Sequence, residues 1–117
     1  YAHPASVDSI PSSANQEDVV SMGTTAARKA GMIVQNTLSV LAMELLTACQ
    51  AIDIRRRLNT HGQGITPLHE ALYQHVREKV AFFEVDREIW PDIAEVEKMV
   101  RSGELLEIVK EYMPEFQ

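Results

Sequence analysis

From Asp18 to Arg57 the sequence runs for forty residues without a proline, and nothing else constrains the fold so tightly. Apolar residues recur there at helical spacing: Val20, Ala27, Ala30, Val34, Leu38, Leu41, Leu45, Cys49 and Ile52. Asp18 or Ser21 is placed to cap the start. Arg55, Arg56 and Arg57 suit the C-terminal end, where the helix dipole favours cations. Gly31 costs about 1 kcal/mol relative to alanine inside a helix, which implies a close backbone neighbour.

A helix of about 35–40 residues is roughly 55 Å long. A domain of this size has a radius of gyration near 13 Å, hence a diameter of about 35 Å. The helix is apolar on more than one face, and the remaining residues are too few to cover it. Its packing surface therefore has to come from another chain or from a further part of this one. A membrane span is the alternative, because Glu44 is the only charge between Lys29 and Asp53. Gln35, Asn36, Thr37, Ser39, Glu44, Thr47 and Gln50 are scattered round the helix, however, and leave no clean lipid-facing stripe. No membrane partner is expected, and Glu44 is expected to find a partner in a bundle.

Residues 1–17, with Pro4, Pro11 and four serines, read as a loop or extended lead-in to a core helix over 18–58. Residues 59–117 read as an acidic region of short helices. The break at Asn59–Gly64 precedes Thr66-Pro67, an N-cap followed by a first-turn proline. Leu68, Leu72, Val76 and Val80 then form one helical face. Pro91 opens a helix with Ile93, Val96 and Val100 inward, and Trp90 reads as an anchor for the C-terminal helices. Ser102-Gly103 breaks that helix; Leu105, Leu106, Val109 and Tyr112 make a last one, ended by Pro114. No segment alternates like a strand, so the fold class is all-α: one very long helix followed by short ones.

The net charge of −6 lies entirely in residues 61–117, which disfavours nucleic acid or an anionic surface as partner. The single Cys49 excludes an internal disulfide, fits a reducing, cytoplasmic setting, and reads as a small core residue. No signal peptide opens the chain, and without an initiator Met it is expected to start inside a larger product. His61, His69 and His75 lack the i, i+4 spacing of a helical metal pair, so no metal is expected.

"SSANQEDVVSMG", Ser12–Gly23, sets an amide pair and two carboxylates ahead of the long helix. Without further information Glu17-Asp18 reads as an acid pair on the helix dipole, and Asn15 as a loop residue satisfying backbone groups. Arg28-Lys29 reads as a solvated or intersubunit pair, with attraction of a carboxylate as the alternative.

The run "HPASVDSIPSSANQEDVVSMGTTAARKA" resembles the C-terminal part of the aromatic amino-acid ammonia-lyases, most of all the histidine enzymes. There a similar "SANQED" leads into "VSMG" and "AAR". Ala42–Arg55 ("AMELLTACQAIDIR"), Asp86–Ile93 ("DREIWPDI") and Val100–Val109 ("VRSGELLEIV") are also similar to that family's ending. The resemblance implies a homotetramer built on a bundle of very long helices, with active sites shared between subunits. It also implies a methylidene-imidazolone (MIO) electrophile made from an Ala-Ser-Gly tripeptide. That tripeptide does not occur here, so the missing N-terminal portion or a companion chain has to supply it.

By the same resemblance Gln16 and Glu17 bind the substrate's side-chain end, and Glu17 is the catalytic candidate. A glutamate at that place faces an imidazole, whereas phenylalanine and tyrosine enzymes commonly carry a glutamine. Histidine to urocanate is the expected conversion. Val19 stands where the histidine enzymes usually have a histidine, and "DVVSMG" occurs in tyrosine- and phenylalanine-type relatives, including aminomutases. Phenylalanine or tyrosine elimination, or a 2,3-amino shift, is the alternative. A helical oligomerisation module without chemistry is the alternative from another class.

Overall fold

The computed structural model describes residues 3–58 and 64–115. The long proline-free run is helical, as α1, over Gly23–Arg57. It begins later than the sequence predicts because the preceding backbone is already engaged. Ser12 and Glu17 exchange backbone hydrogen bonds, and the Val20 N–H donates to Ser9 Oγ at 2.9 Å. The first helical bond runs from the Ala26 N–H to the Met22 carbonyl, so the cap position falls on Met22 and not on Asp18 or Ser21. The first turn holds no acid, which removes the dipole role assigned to Glu17 and Asp18. Arg55, Arg56 and Arg57 occupy the last turn as expected.

Three short helices follow: α2 over Pro67–Lys79, α3 over Trp90–Ser102 and α4 over Glu104–Tyr112. The Thr66 hydroxyl caps α2 by accepting from the His69 N–H, with Pro67 in the first turn. Gly103 ends α3 at φ 85°, a left-handed conformation that glycine adopts without a Cβ penalty, and α4 starts directly after it. The described residues hold no strand element, only an isolated bridge between Ser12 and Glu17, and the fold is all-α.

The structure divides into two compact units, Tyr1–Thr37 and Leu38–Gln117. The second unit owns the core. Ala42, Leu46 and Cys49 of α1 meet Tyr73, Val76 and Val80 of the α2 segment and Val96 and Met99 of α3. Leu45, Ile52, Ile65, Ile93 and Leu105 pack round this cluster. Each fully buried side chain of valine or methionine size contributes about 1.5–3 kcal/mol. Polar bonds tie α1 to its neighbours. Gln50 Nε2 donates to the Phe83 carbonyl at 2.7 Å, and Ser39 Oγ donates to Glu97 Oε2 at 3.0 Å. Arg77 pairs with Asp53 at 2.8 Å, and the Tyr73 hydroxyl donates to the same carboxylate at 2.5 Å.

Several expected roles change. The inward face of α1 is set by Ala42, Leu46 and Cys49, while Val34 and Leu41 from the predicted stripe are exposed. Met32, Ile33, Val40, Met43 and Ile54 are exposed too. Trp90 is 67% exposed and takes no part in the core of the described residues, where Ile93, Val96 and Met99 hold α3 in place. On α4 Leu105 faces the core, and Leu106 and Tyr112 do not. Nothing lies within 4 Å of a Cβ built at Gly31, so the close neighbour expected there is not within the described chain. Glu44 is exposed, and none of the described residues pairs with it. By length and composition α1 could cross a membrane, with a mean hydropathy of 1.4 in its most apolar window.

Candidate functional site

The polar stretch ahead of α1 is a closed turn. Ser12 N–H donates to the Glu17 carbonyl at 2.9 Å, and Glu17 N–H returns the bond to the Ser12 carbonyl at 3.2 Å. Between them Ser13, Ala14 and Asn15 form a single 3-10 turn at φ 50°, 55° and 69°. Three successive left-handed residues, none of them glycine, are a costly conformation for L-amino acids. They persist because the bonds on either side dictate the path of the chain. A second clamp encloses the first: Ser9 Oγ accepts from the Val20 N–H at 2.9 Å and approaches the Val20 carbonyl at 3.4 Å.

The two residues singled out by sequence sit at the exit of this turn. Gln16 is exposed, and its N–H closes the turn on the Ser13 carbonyl at 3.1 Å. Glu17 is exposed and accepts a hydrogen bond from Ser12 Oγ on Oε2 at 3.0 Å. The turn therefore leaves the Gln16 amide and the Glu17 carboxylate both exposed, with the carboxylate tied on one oxygen. Asn15 belongs to the strained turn itself. Ser9 and Ser12 were not singled out from sequence. The signal was present, since each lies opposite an element of the turn it closes, but serines in a Pro- and Ser-rich lead-in are easily read as linker.

A surface cleft of about 290 Å³ within the same unit is lined by Thr25, Arg28, Lys29 and Met32. Arg28 and Lys29 thus share one concavity. In the second unit His75 Nε2 lies 3.3 Å from Glu104 Oε2, and Lys79 reaches the same carboxylate at 3.3 Å. His69 Nδ1 is paired with the capping Thr66 hydroxyl, and His61 lies outside the described residues. Among the described residues no three His, Cys, Asp or Glu side chains gather as a metal site. Cys49 is 1% exposed, and burial pushes its thiol up from the ordinary value, against the opposing pull of Arg77. It is a core residue and not a nucleophile.

Comparison with known proteins matches residues 1–78 to the family model described as aromatic amino acid lyase. The chain is 52% identical over 110 residues to a histidine ammonia-lyase of Caldanaerobacter subterraneus, covering 94% of this chain and 21% of that protein. It is 47% identical over 116 residues to a histidine ammonia-lyase of Desulfotalea psychrophila, covering 98% of this chain and 22% of that protein. The crystal structure of histidine ammonia-lyase from Trypanosoma cruzi superposes with a TM-score of 0.82 at 45% identity, over 97% of this chain and 21% of that one. Tyrosine aminomutase from Streptomyces globisporus superposes with a TM-score of 0.78 at 38% identity, over 92% and 20%. The chain spans about a fifth of the length of these relatives. The family match takes in the whole of the closed turn and α1, and this chain belongs to the aromatic amino acid lyase family.

Proposed function

We propose that the chain is the C-terminal portion of an ammonia-lyase that removes ammonia from an aromatic amino acid, converting histidine to urocanate. The observation that carries this is the family match across the closed turn, together with histidine ammonia-lyases at about half identity. Glu17 supports it chemically. An imidazole N–H is a donor, and a carboxylate is the strongest acceptor a protein offers it. Held by Glu17, the ring is oriented for loss of the β-proton before the C–N bond breaks. A benzene ring gives a carboxylate nothing to bond, and desolvating the charge against it is expensive. Gln16, beside Glu17, completes the contact with the ring end of the substrate.

The family's MIO group would supply the electrophile for this elimination. This chain has no Ala-Ser-Gly, and the described turn offers groups that bind a substrate ring, so that electrophile belongs to a part of the enzyme outside residues 1–117. The enzyme is a cytoplasmic homotetramer in this proposal, and the exposed apolar residues of α1 support burial in such an assembly.

A second substrate class is favoured by one feature. Val19 is exposed directly after the acid pair, where the histidine enzymes usually have a histidine, and tyrosine aminomutase is among the structural relatives. Glu17→Gln in the complete enzyme separates the two, read by steady-state turnover of histidine, tyrosine and phenylalanine. Loss of most histidine turnover is the expected result. Unchanged turnover, with tyrosine or phenylalanine as the better substrate, would move the assignment to that class.

A further inference from the structure

We infer that Ser12 is a positioning residue for Glu17, and that the closed turn exists to aim that carboxylate; the inference rests on the proposal that Glu17 meets the substrate. An exposed glutamate on an open loop samples many rotamers, and a ligand that needs one of them has to freeze the rest. Here three bonds from one serine remove that freedom. The two backbone bonds, at 2.9 and 3.2 Å, fix where the Glu17 main chain lies. The Ser12 hydroxyl, at 3.0 Å from Oε2, fixes where its side chain points and leaves Oε1 unclaimed by that hydroxyl.

The turn's own geometry favours the same conclusion. A chain that only had to reverse direction could do so through glycine, at no steric cost. Ser13, Ala14 and Asn15 all take left-handed angles instead. Backbone strain of this kind persists where the surroundings over-determine it, and it gathers at places that hold a group in one position. The surroundings are the Ser12–Glu17 bridge and, outside it, the Ser9–Val20 clamp. The bridge thus does for Glu17 what a buried neighbour does for a core side chain, although Glu17 is exposed.

The test uses the complete enzyme with Ser12→Ala, Ser12→Thr, Glu17→Ala and the Ser12→Ala/Glu17→Ala pair. Steady-state kinetics are measured on whichever aromatic amino acid the wild type turns over best. Ser12→Ala is expected to lower kcat/KM about tenfold, Ser12→Thr to recover most of that loss, and Ser12→Ala to add less than twofold in the Glu17→Ala background. Equal losses from Ser12→Ala in both backgrounds would mean that the serine only stabilises the loop, which overturns the inference and leaves the proposed function standing. A Glu17→Ala enzyme as active as wild type would overturn both, since there would be nothing to aim.

Discussion

Ala14 stands at φ 55° and ψ 40° on the surface, where a methyl group meets a conformation that L residues avoid. Exposed positions usually tolerate substitution to within about 0.5 kcal/mol. This one is expected not to. A β-branched side chain in that region is strained by about 1–3 kcal/mol, whereas glycine relieves it. Ala14→Val in the complete enzyme should therefore cut activity several-fold, and Ala14→Gly should leave it close to wild type. Equal kinetics for the two would show that the turn is not held left-handed. Cys49 makes the opposite case, a reactive group made inert. Burial raises its thiol above the ordinary 9.0, with Arg77 pulling down and Asp53 adding to the rise. The folded state thus keeps the proton longer than the unfolded one. This group leaves stability untouched below pH 9.0 and lowers it as pH climbs from there towards the folded value. Iodoacetamide at pH 8 is expected to label Cys49 at least about tenfold more slowly in the native enzyme than in urea, by mass spectrometry.

Punctuation made the elements of the second unit legible in the sequence. Thr66-Pro67, Pro91 and Ser102-Gly103 act through local chemistry, a cap, a fixed φ and a left-handed residue, and each marks a boundary of α2, α3 or α4 in the structure. The start of α1 was not legible, because it depends on Ser9 and Ser12 reaching across five to eleven residues. The inward face of α1 was only partly legible. Apolar residues surround that helix, so periodicity could not choose among its faces, and Val34 was placed with Cys49 although only Cys49 is buried. The residues at the candidate site were found by resemblance, while the bonds that hold them were not, since spacing alone does not announce a hydrogen bond. At this scale the clasp between α2 and α4 carries a prediction. Partial burial works to raise the Glu104 carboxyl, but the hydrogen bond from Lys79, then the nearby His75, outweigh it and hold the group below its ordinary value. A lowered carboxyl stabilises the fold above the unfolded pKa of about 4.5, and that contribution is lost as pH falls through the folded value. Protection factors in α4, which divide out the intrinsic pH dependence of amide exchange, should fall as pH drops below about 5, and Glu104→Gln should flatten that fall. An unchanged slope in the variant would remove Glu104 as its source.

At the scale of the molecule, the first unit has little core of its own. Met32, Ile33 and Val34 are exposed there, and Val40, Leu41 and Met43 are exposed further along α1 in the second unit, a larger apolar display than single surface leucines or valines make. If the complete enzyme buries these residues, Val34→Glu with Leu41→Glu should disrupt its assembly and lower its melting temperature by several degrees. Light scattering and calorimetry read both, and an unchanged mass with an unchanged melting temperature would leave that surface facing water. The same display governs the order of events in time. Most helical stability comes from tertiary packing, and residues 38–112 have a core to condense upon, whereas residues 23–37 must wait for surface supplied from elsewhere. During refolding, pulse-labelled amides in α2 and α3 should become protected before those at the start of α1. The turn that carries Glu17 would then be the last part of this chain to come under guard.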